Sequence, residues 1–499
     1  MSRQRSQVSV TAESAAYGAF LKAFPDYDRT RGIDTLRASG YRRLDAEGHV
    51  YLDYTGGGLH AEFQVRDHAE MLNQHVLGNP HSANLTSSRM TMLIEQARRY
   101  VLNWFNAGDD YAAVFTQNAT AALKLVGEAY PFSPDSTCLL TVDNHNSVNG
   151  IREYAITRGA SVAYASLTAP ELRIDRTFLA SCFGAADRSA RNLFVFPAQS
   201  NFSGVVHPLE CVEEAHAVGW DVLLDAAAYV PSNRLNLQLV KPDFVSVSFY
   251  KMFGYPTGVG CLLARRTTFS KLRRPWFAGG TVNFATVNGR HHILSRGEAG
   301  FEDGTLNYLA IPAVEIGLRH LASVGVETIN TRIRCLTAWL LERLLDLRHS
   351  NGRYMVRIYG PLTVEDRGGT VTMNVYDEDG RLLNYRRVEE LASEDRISLR
   401  TGCFCNPGAG EAAEGLTDAD MEAALRESSD MTLPRFLQFV THHSGKSAGA
   451  IRVSLGLVSN FSDVYRFVRF VEGLRDQTQM TVGEATFDIE SCRVMRDGS

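Results

Sequence analysis

One lysine of the 499-residue chain stands where an amine could do covalent chemistry: Lys251, in SFYKMFGYPTGVG (248–260). A β-rich run ends in Ser-Phe-Tyr and hands the lysine to a Gly/Pro-rich turn. Burial at such a point depresses the pKa of an ammonium and leaves an amine able to form a Schiff base with an aldehyde. Most lysines are solvated surface charges, so the assignment needs partners. Asp225, closing DVLLD (221–225), is one. A carboxylate at the end of an apolar run is costly unless a cation meets it, and a protonated pyridine nitrogen is such a cation. The plainer reading of Asp225 is a helix N-cap.

Three further segments supply complementary groups. FTQNATAALKL (115–125) passes from strand to helix and puts the amides of Ala119 and Thr120, with the Thr120 hydroxyl, at a helix N-terminus suited to a phosphate, or simply to a cap. VDNHNSVNGIREYA (142–155) brings His145 in directly after a strand, where its ring can stack on a flat heterocycle. FPAQSNFSG (196–204) offers Asn201 as a partner for a phenolic oxygen, or as a turn residue. Aldehyde, pyridinium, phosphate and ring face together describe pyridoxal 5'-phosphate. No cysteine or histidine spacing describes a metal site.

The elements that must position these groups read as alternating strands and helices. AAVFT (112–116), TCLLTV (137–142), NLFVF (192–196), DVLLD, DFVSVSF (243–249) and VGCLLA (259–264) are strand-like, and Leu93, Ala97, Val101 and Trp104 recur at helical spacing. That texture predicts an α/β fold whose mainly parallel sheet is covered by helices, with ligands at the carboxyl ends of its strands. From 311 the chain becomes a long helical stretch followed by GTVTMNVY and ISLR, a smaller α/β domain. The expected division is an N-terminal segment 1–50 packing on the small domain, a large domain 51–310 and a small domain 311–499. GRYMVRIYGP (352–361) and the stretch 408–430 read as carrying surface loops.

Composition narrows the partners. A net charge of −5 without basic runs argues against nucleic acid or an anionic membrane, and no apolar stretch nears the ~20 residues of a membrane span. With no signal-peptide pattern at the N-terminus, the expectation is a cytoplasmic enzyme acting on a small molecule. The eight cysteines follow no disulfide framework. Most read as small buried side chains, and only Cys403 and Cys405, in RTGCFCNPGAG (400–410), sit in a setting for chemistry.

In this order the segments resemble the class V aminotransferase family of pyridoxal-phosphate enzymes, fold type I, and within it the cysteine-desulfurase domain of molybdenum cofactor sulfurases. YLDYTGGGL (51–59), GNPHSANLTS (78–87), LLDAAAYVP (223–231), FEDGT (301–305), LRTGCFCNPGA (399–409) and IRVSLG (451–456) carry the likeness with those above. It implies that Lys251 binds the cofactor, with Ala119, Thr120, His145, Asn201, Asp225 and Ser248 around it and Thr305 reaching the phosphate across a homodimer. It implies that Arg452 grips a substrate α-carboxylate with Arg400 nearby. It implies that Cys405 is the nucleophile that takes sulfur from L-cysteine as a persulfide, with Cys403 as second choice. Ala228 and Tyr250 stand where many desulfurases have glutamine and histidine. The sulfurases continue into a molybdenum-cofactor-binding module, which this chain is expected to lack, so the sulfur acceptor is open. Two alternatives remain: a class V carbon–sulfur lyase or other biosynthetic enzyme on another amino acid, and a non-catalytic sulfur relay or scaffold.

Overall fold

The protein is described by a computed structural model covering residues 2–80, 82–427, 447, 449–483, 486–488 and 493–495. Cys492 and residues 428–430 of the acidic stretch lie outside the described residues.

Seven strands form the main sheet: β1 (Tyr111–Thr116), β2 (Thr137–Thr141), β3 (Ser161–Ala165), β4 (Asn192–Pro197), β5 (Trp220–Asp225), β6 (Phe244–Ser248) and β7 (Gly260–Arg265), in spatial order β1-β7-β6-β5-β4-β2-β3. Only β7 runs antiparallel to its neighbours. The central strands are buried along their length except at Asp221, as expected where helices cover both faces. β5 and β6 are parallel neighbours with Asp225 opposite Ser246, so the ends of the two strands deliver Asp225 and Lys251 side by side. Helix α1 (Leu85–Trp104) packs on one face, while α2 (Ala119–Ala129) starts at the carboxyl end of β1, capped by Asn118 through the Ala121 amide.

The helical stretch after 310 is two helices, α3 (Ile311–Val324) and α4 (Val326–Asp346). They part at Gly325, whose φ of +86° is the left-handed conformation that ends a helix. A four-stranded antiparallel sheet follows: β8 (Val356–Tyr359), β9 (Thr370–Val375), β10 (Arg400–Gly402) and β11 (Ala450–Ser454), ordered β8-β9-β11-β10. The loop reading of 352–361 is thus corrected: pairing with β9 makes an edge strand of VRIY, against the signal of its flanking glycines. The stretch from 408 is likewise mostly helical where described, in Pro407–Glu414 and Asp418–Glu427.

The N-terminal segment closes on this half. Phe20 packs on Phe461 with ring centroids 4.9 Å apart and meets the edge of Trp339, and Val50–Tyr51 pairs with Ile397–Ser398.

Candidate active site

Lys251 lies in a one-turn helix, Phe249–Phe253, immediately after β6. Its remaining surface faces a cleft of about 660 Å³, open mouth included, lined also by Thr120, His145, Asn201, Asp225 and Ser248. Burial pushes the amine's pKa below its ordinary value; the Asp225 charge opposes this, and Arg452 and Arg400 add to it.

Asp225 is buried and forms no ion pair among the described residues. Its Oδ1 accepts from the Ser246 hydroxyl at 2.9 Å and the Ala227 amide at 3.1 Å, and Oδ2 takes neither bond. The carboxylate is therefore aimed by one oxygen and offers the other to the cleft.

At the start of α2 the Ala119 amide donates to Ser248 Oγ at 2.8 Å and the Ala121 amide to Asn118 Oδ1 at 3.0 Å. The amide between them, of Thr120, takes part in neither cap. The Thr120 hydroxyl meets Ser147 Oγ at 2.7 Å, which lies 3.0 Å from His145 Nδ1. Because the Ser147 amide donates to Nδ1, His145 carries its proton on Nε2. Burial and the Lys251 charge depress its pKa, with Asp225 opposing, which keeps the ring neutral.

The cysteine loop follows β10. Phe404 and Cys405 have φ of 55° and 54°, left-handed values that cost about 1–2 kcal/mol each in a non-glycine residue. Polar ties to the main sheet hold them there. Asn201 Nδ2 donates to the Phe404 carbonyl at 2.8 Å, the Asn146 amide to the Cys405 carbonyl at 2.7 Å, and buried Asn406 to Asn201 Oδ1 at 2.9 Å and the Asp143 carbonyl at 2.7 Å. Phe404 is buried against Phe202. Cys405 is exposed, and its sulfur is among the charges felt by Lys251, Arg400 and Arg452. Cys403, half-buried, is felt instead by Tyr385.

Arg452, buried on β11, donates from Nη1 to the Asn201 carbonyl at 3.0 Å and from Nη2 to Asp53 Oδ1 at 3.1 Å, and its Nε–H has no partner. Burial brings its pKa down to about 10 against the pull of Asp53. Arg400 binds the same carboxylate through Nε and Nη2.

Ala119, Thr120, His145, Asn201, Asp225, Ser248 and Lys251 line one cleft, Arg452 and the cysteine loop adjoin it through Asn201, and Arg400 joins Arg452 through Asp53; one anticipated residue lies elsewhere. The exception is Thr305, which lines a separate cleft with Gln117, Lys124 and Trp276 on the other side of the start of α2. Sequence reasoning missed Asp53, Ser147 and Asn406. Asp53 closes an apolar run as Asp225 does, and the same signal marks it. Asn406 precedes a proline and caps the next helix, a readable pattern, whereas nothing in the sequence marks Ser147. The buried amine, the half-free carboxylate, the open helix amide beside two hydroxyls and the neutral imidazole fit a cofactor with aldehyde, pyridine and phosphate groups. Four other described cysteines, Cys138, Cys211, Cys261 and Cys335, are buried, while Cys182 is partly exposed. Among the described residues no cluster suits a metal ion, and no helix is long and apolar enough to cross a membrane.

Known proteins share the fold and much of the sequence. The molybdenum cofactor sulfurase of Solanum lycopersicum is 36% identical over 488 residues, covering 91% of this chain and 59% of the relative. That of Homo sapiens is 36% identical over 464 residues, 87% of this chain and 50% of the relative. The chain spans between half and three-fifths of the length of these relatives. A cysteine desulfurase from Thermococcus onnurineus NA1 superposes with a TM-score of 0.72 at 22% identity, over 88% of this chain and 97% of that one. The cysteine desulfurase CsdA of Escherichia coli does so with 0.69 at 20% identity, over 88% and 98%. The fold is the α/β architecture of those enzymes, fold type I. The family model for aminotransferase class-V matches residues 50–467, and the chain belongs to that family.

Proposed function

We propose that the protein is a pyridoxal-phosphate-dependent cysteine desulfurase that converts L-cysteine to L-alanine and leaves the sulfur as a persulfide on Cys405. The observation that carries this reading is the placement of Cys405: an exposed thiol on a loop tied to the main sheet, within electrostatic reach of Lys251 and of both arginines. The likeness to proteins named cysteine desulfurase and molybdenum cofactor sulfurase supports it.

Lys251 would hold the cofactor covalently, Asp225 would face its ring nitrogen, His145 its ring face, Asn201 its phenolic oxygen, and Thr120 with Ser248 and the α2 amides its phosphate. When bound, pyridoxal phosphate supplies an electron sink that acidifies the α-carbon of an amino acid. Arg452, with its unpaired Nε–H, binds the substrate carboxylate, a task suited to a planar two-point donor. The Lys251 amine, its pKa lowered by burial, takes the α-proton as general base. The Cys405 thiolate attacks the sulfur of the substrate: an S–S bond forms, the C–S bond breaks, and its electron pair stays with the substrate carbon, which is then protonated. L-cysteine and the thiol become L-alanine and a persulfide, with no external oxidant. A second thiol or an acceptor protein then takes the outer sulfur.

A homodimer belongs to this reading, with Thr305 serving the site of the partner subunit, as do a cytoplasmic setting and a large cofactor-holding domain followed by a small domain that carries the cysteine loop. The test is incubation of the purified protein with L-cysteine and a reductant, scoring alanine and sulfide in equal amounts; pyruvate without alanine would make it a lyase.

A further inference from the structure

Among the described residues, Asp53 is the one carboxylate that both arginines share. It follows the short strand Val50–Tyr51, bridges to Ser454 at the end of β11, and accepts from Arg400 at 3.0 Å (Nε) and 2.7 Å (Nη2) and from Arg452 at 3.1 Å. The chain is built around this contact. A Cβ on Gly56 would lie 2.5 Å from Asp53 Oδ2 and 2.6 Å from Arg400 Nη2, so a residue larger than glycine would force the bridged side chains to shift.

We infer that Asp53 is a positioning residue coupling substrate binding to the cysteine loop, one anion that orients the arginine of the carboxylate site and restrains the arginine beside the thiol. The inference rests on the desulfurase reading for the identity of the substrate, but its geometry does not. Nη1 is held by the Asn201 carbonyl and Nε is buried without a partner, so a substrate carboxylate binding Arg452 in two-point fashion has to draw on Nη2. Nη2 is the atom that Asp53 holds, so an arriving amino acid competes with Asp53 there and leaves it to Arg400 alone. The Cys405 sulfur lies within electrostatic reach of Lys251, Arg400 and Arg452; Arg400 is in reach of Asp53, Tyr51 and Tyr250, and Lys251 of Asp225. Asp53 thus offsets part of the positive charge that would otherwise act on the thiol.

The test reads the thiol directly, by mass-spectrometric measurement of Cys405 alkylation by iodoacetamide across pH in the full chain. Asp53→Asn removes the charge at nearly constant shape and is expected to shift the profile down, with roughly 3- to 10-fold faster alkylation at neutral pH. Asp53→Glu should restore the wild-type profile. Arg400→Gln should slow alkylation and abolish most of the Asp53→Asn acceleration when the two are combined. An unchanged profile in Asp53→Asn, or the same acceleration with Arg400 absent, would overturn the inference. With L-cysteine as substrate, Asp53→Asn should lower kcat while KM holds or falls, because the competitor at Arg452 is gone; a raised KM with unchanged kcat would contradict it. Wild-type protein that makes no alanine defeats the desulfurase reading instead, and the alkylation profiles still decide the role of Asp53.

Discussion

The two side chains proposed to react are held in opposite ways. Lys251 stands at the end of a fully buried central strand, one turn into a short helix, with Asp225 beside it on the neighbouring strand. Its position follows from the sheet itself. Cys405 sits on a turn with two successive left-handed residues, and what holds it is a small set of hydrogen bonds from Asn146, Asn201 and Asn406. A group that must keep one geometry is built on strands, whereas a group that must visit a substrate and then an acceptor is better built on a loop whose ties are polar and few.

Substitutions should separate these regions. Lys251→Ala removes the base and the anchor together, and alanine formation from L-cysteine should fall by about a thousandfold or more. Cys405→Ala should abolish persulfide and cut turnover by about a hundredfold or more while leaving the cofactor spectrum intact. Cys403→Ala should stay within a few-fold, and equal losses in the two cysteine variants would erase the distinction drawn from their surroundings.

Asn406→Ala tests the loop ties. It deletes two buried hydrogen bonds and a helix cap, at roughly 1–3 kcal/mol of stability, and should slow persulfide formation about tenfold without changing the cofactor spectrum. A spectral change would show that the loop also shapes the Lys251 half. The smallest effect on turnover belongs to His320, buried beneath Tyr41 at 2.9 Å, its pKa pushed down by burial to about 4. The folded state keeps this ring neutral while the unfolded chain protonates it near 6.5, so stability is full above that value and falls as pH drops toward 4. The loss amounts to about 3 kcal/mol. Thermal melts of His320→Gln should show a shallower acid slope than wild type.

The Lys251 half was legible in the sequence for the same reason that it is rigid. Apolar runs ending in Asp225 and Lys251 mark strand ends, and strand ends in a parallel sheet point to one edge. The strands were placed to within a residue or so, apart from Ser161–Ala165, whose mixed, partly exposed pattern at the sheet edge hides it. The loop half was legible in its cysteines but not in its ties, because Asn201 meets Phe404 and Asn406 across some two hundred residues and no local spacing encodes that contact. Asn201 shows both sides: it lines the cleft, and its amide also ties the loop. The split at Gly325 and the strand Val356–Tyr359 were missed because one left-handed glycine and one edge pairing outweigh local pattern.

Both regions are proposed to act on one sulfur atom. The direct measurement is a single turnover of the purified protein with L-cysteine and no reductant, quantifying alanine and mapping added sulfur by mass spectrometry. One alanine for each site that gains a sulfur on Cys405 is the predicted result. Alanine without sulfur on Cys405, or sulfur there without alanine, would contradict it.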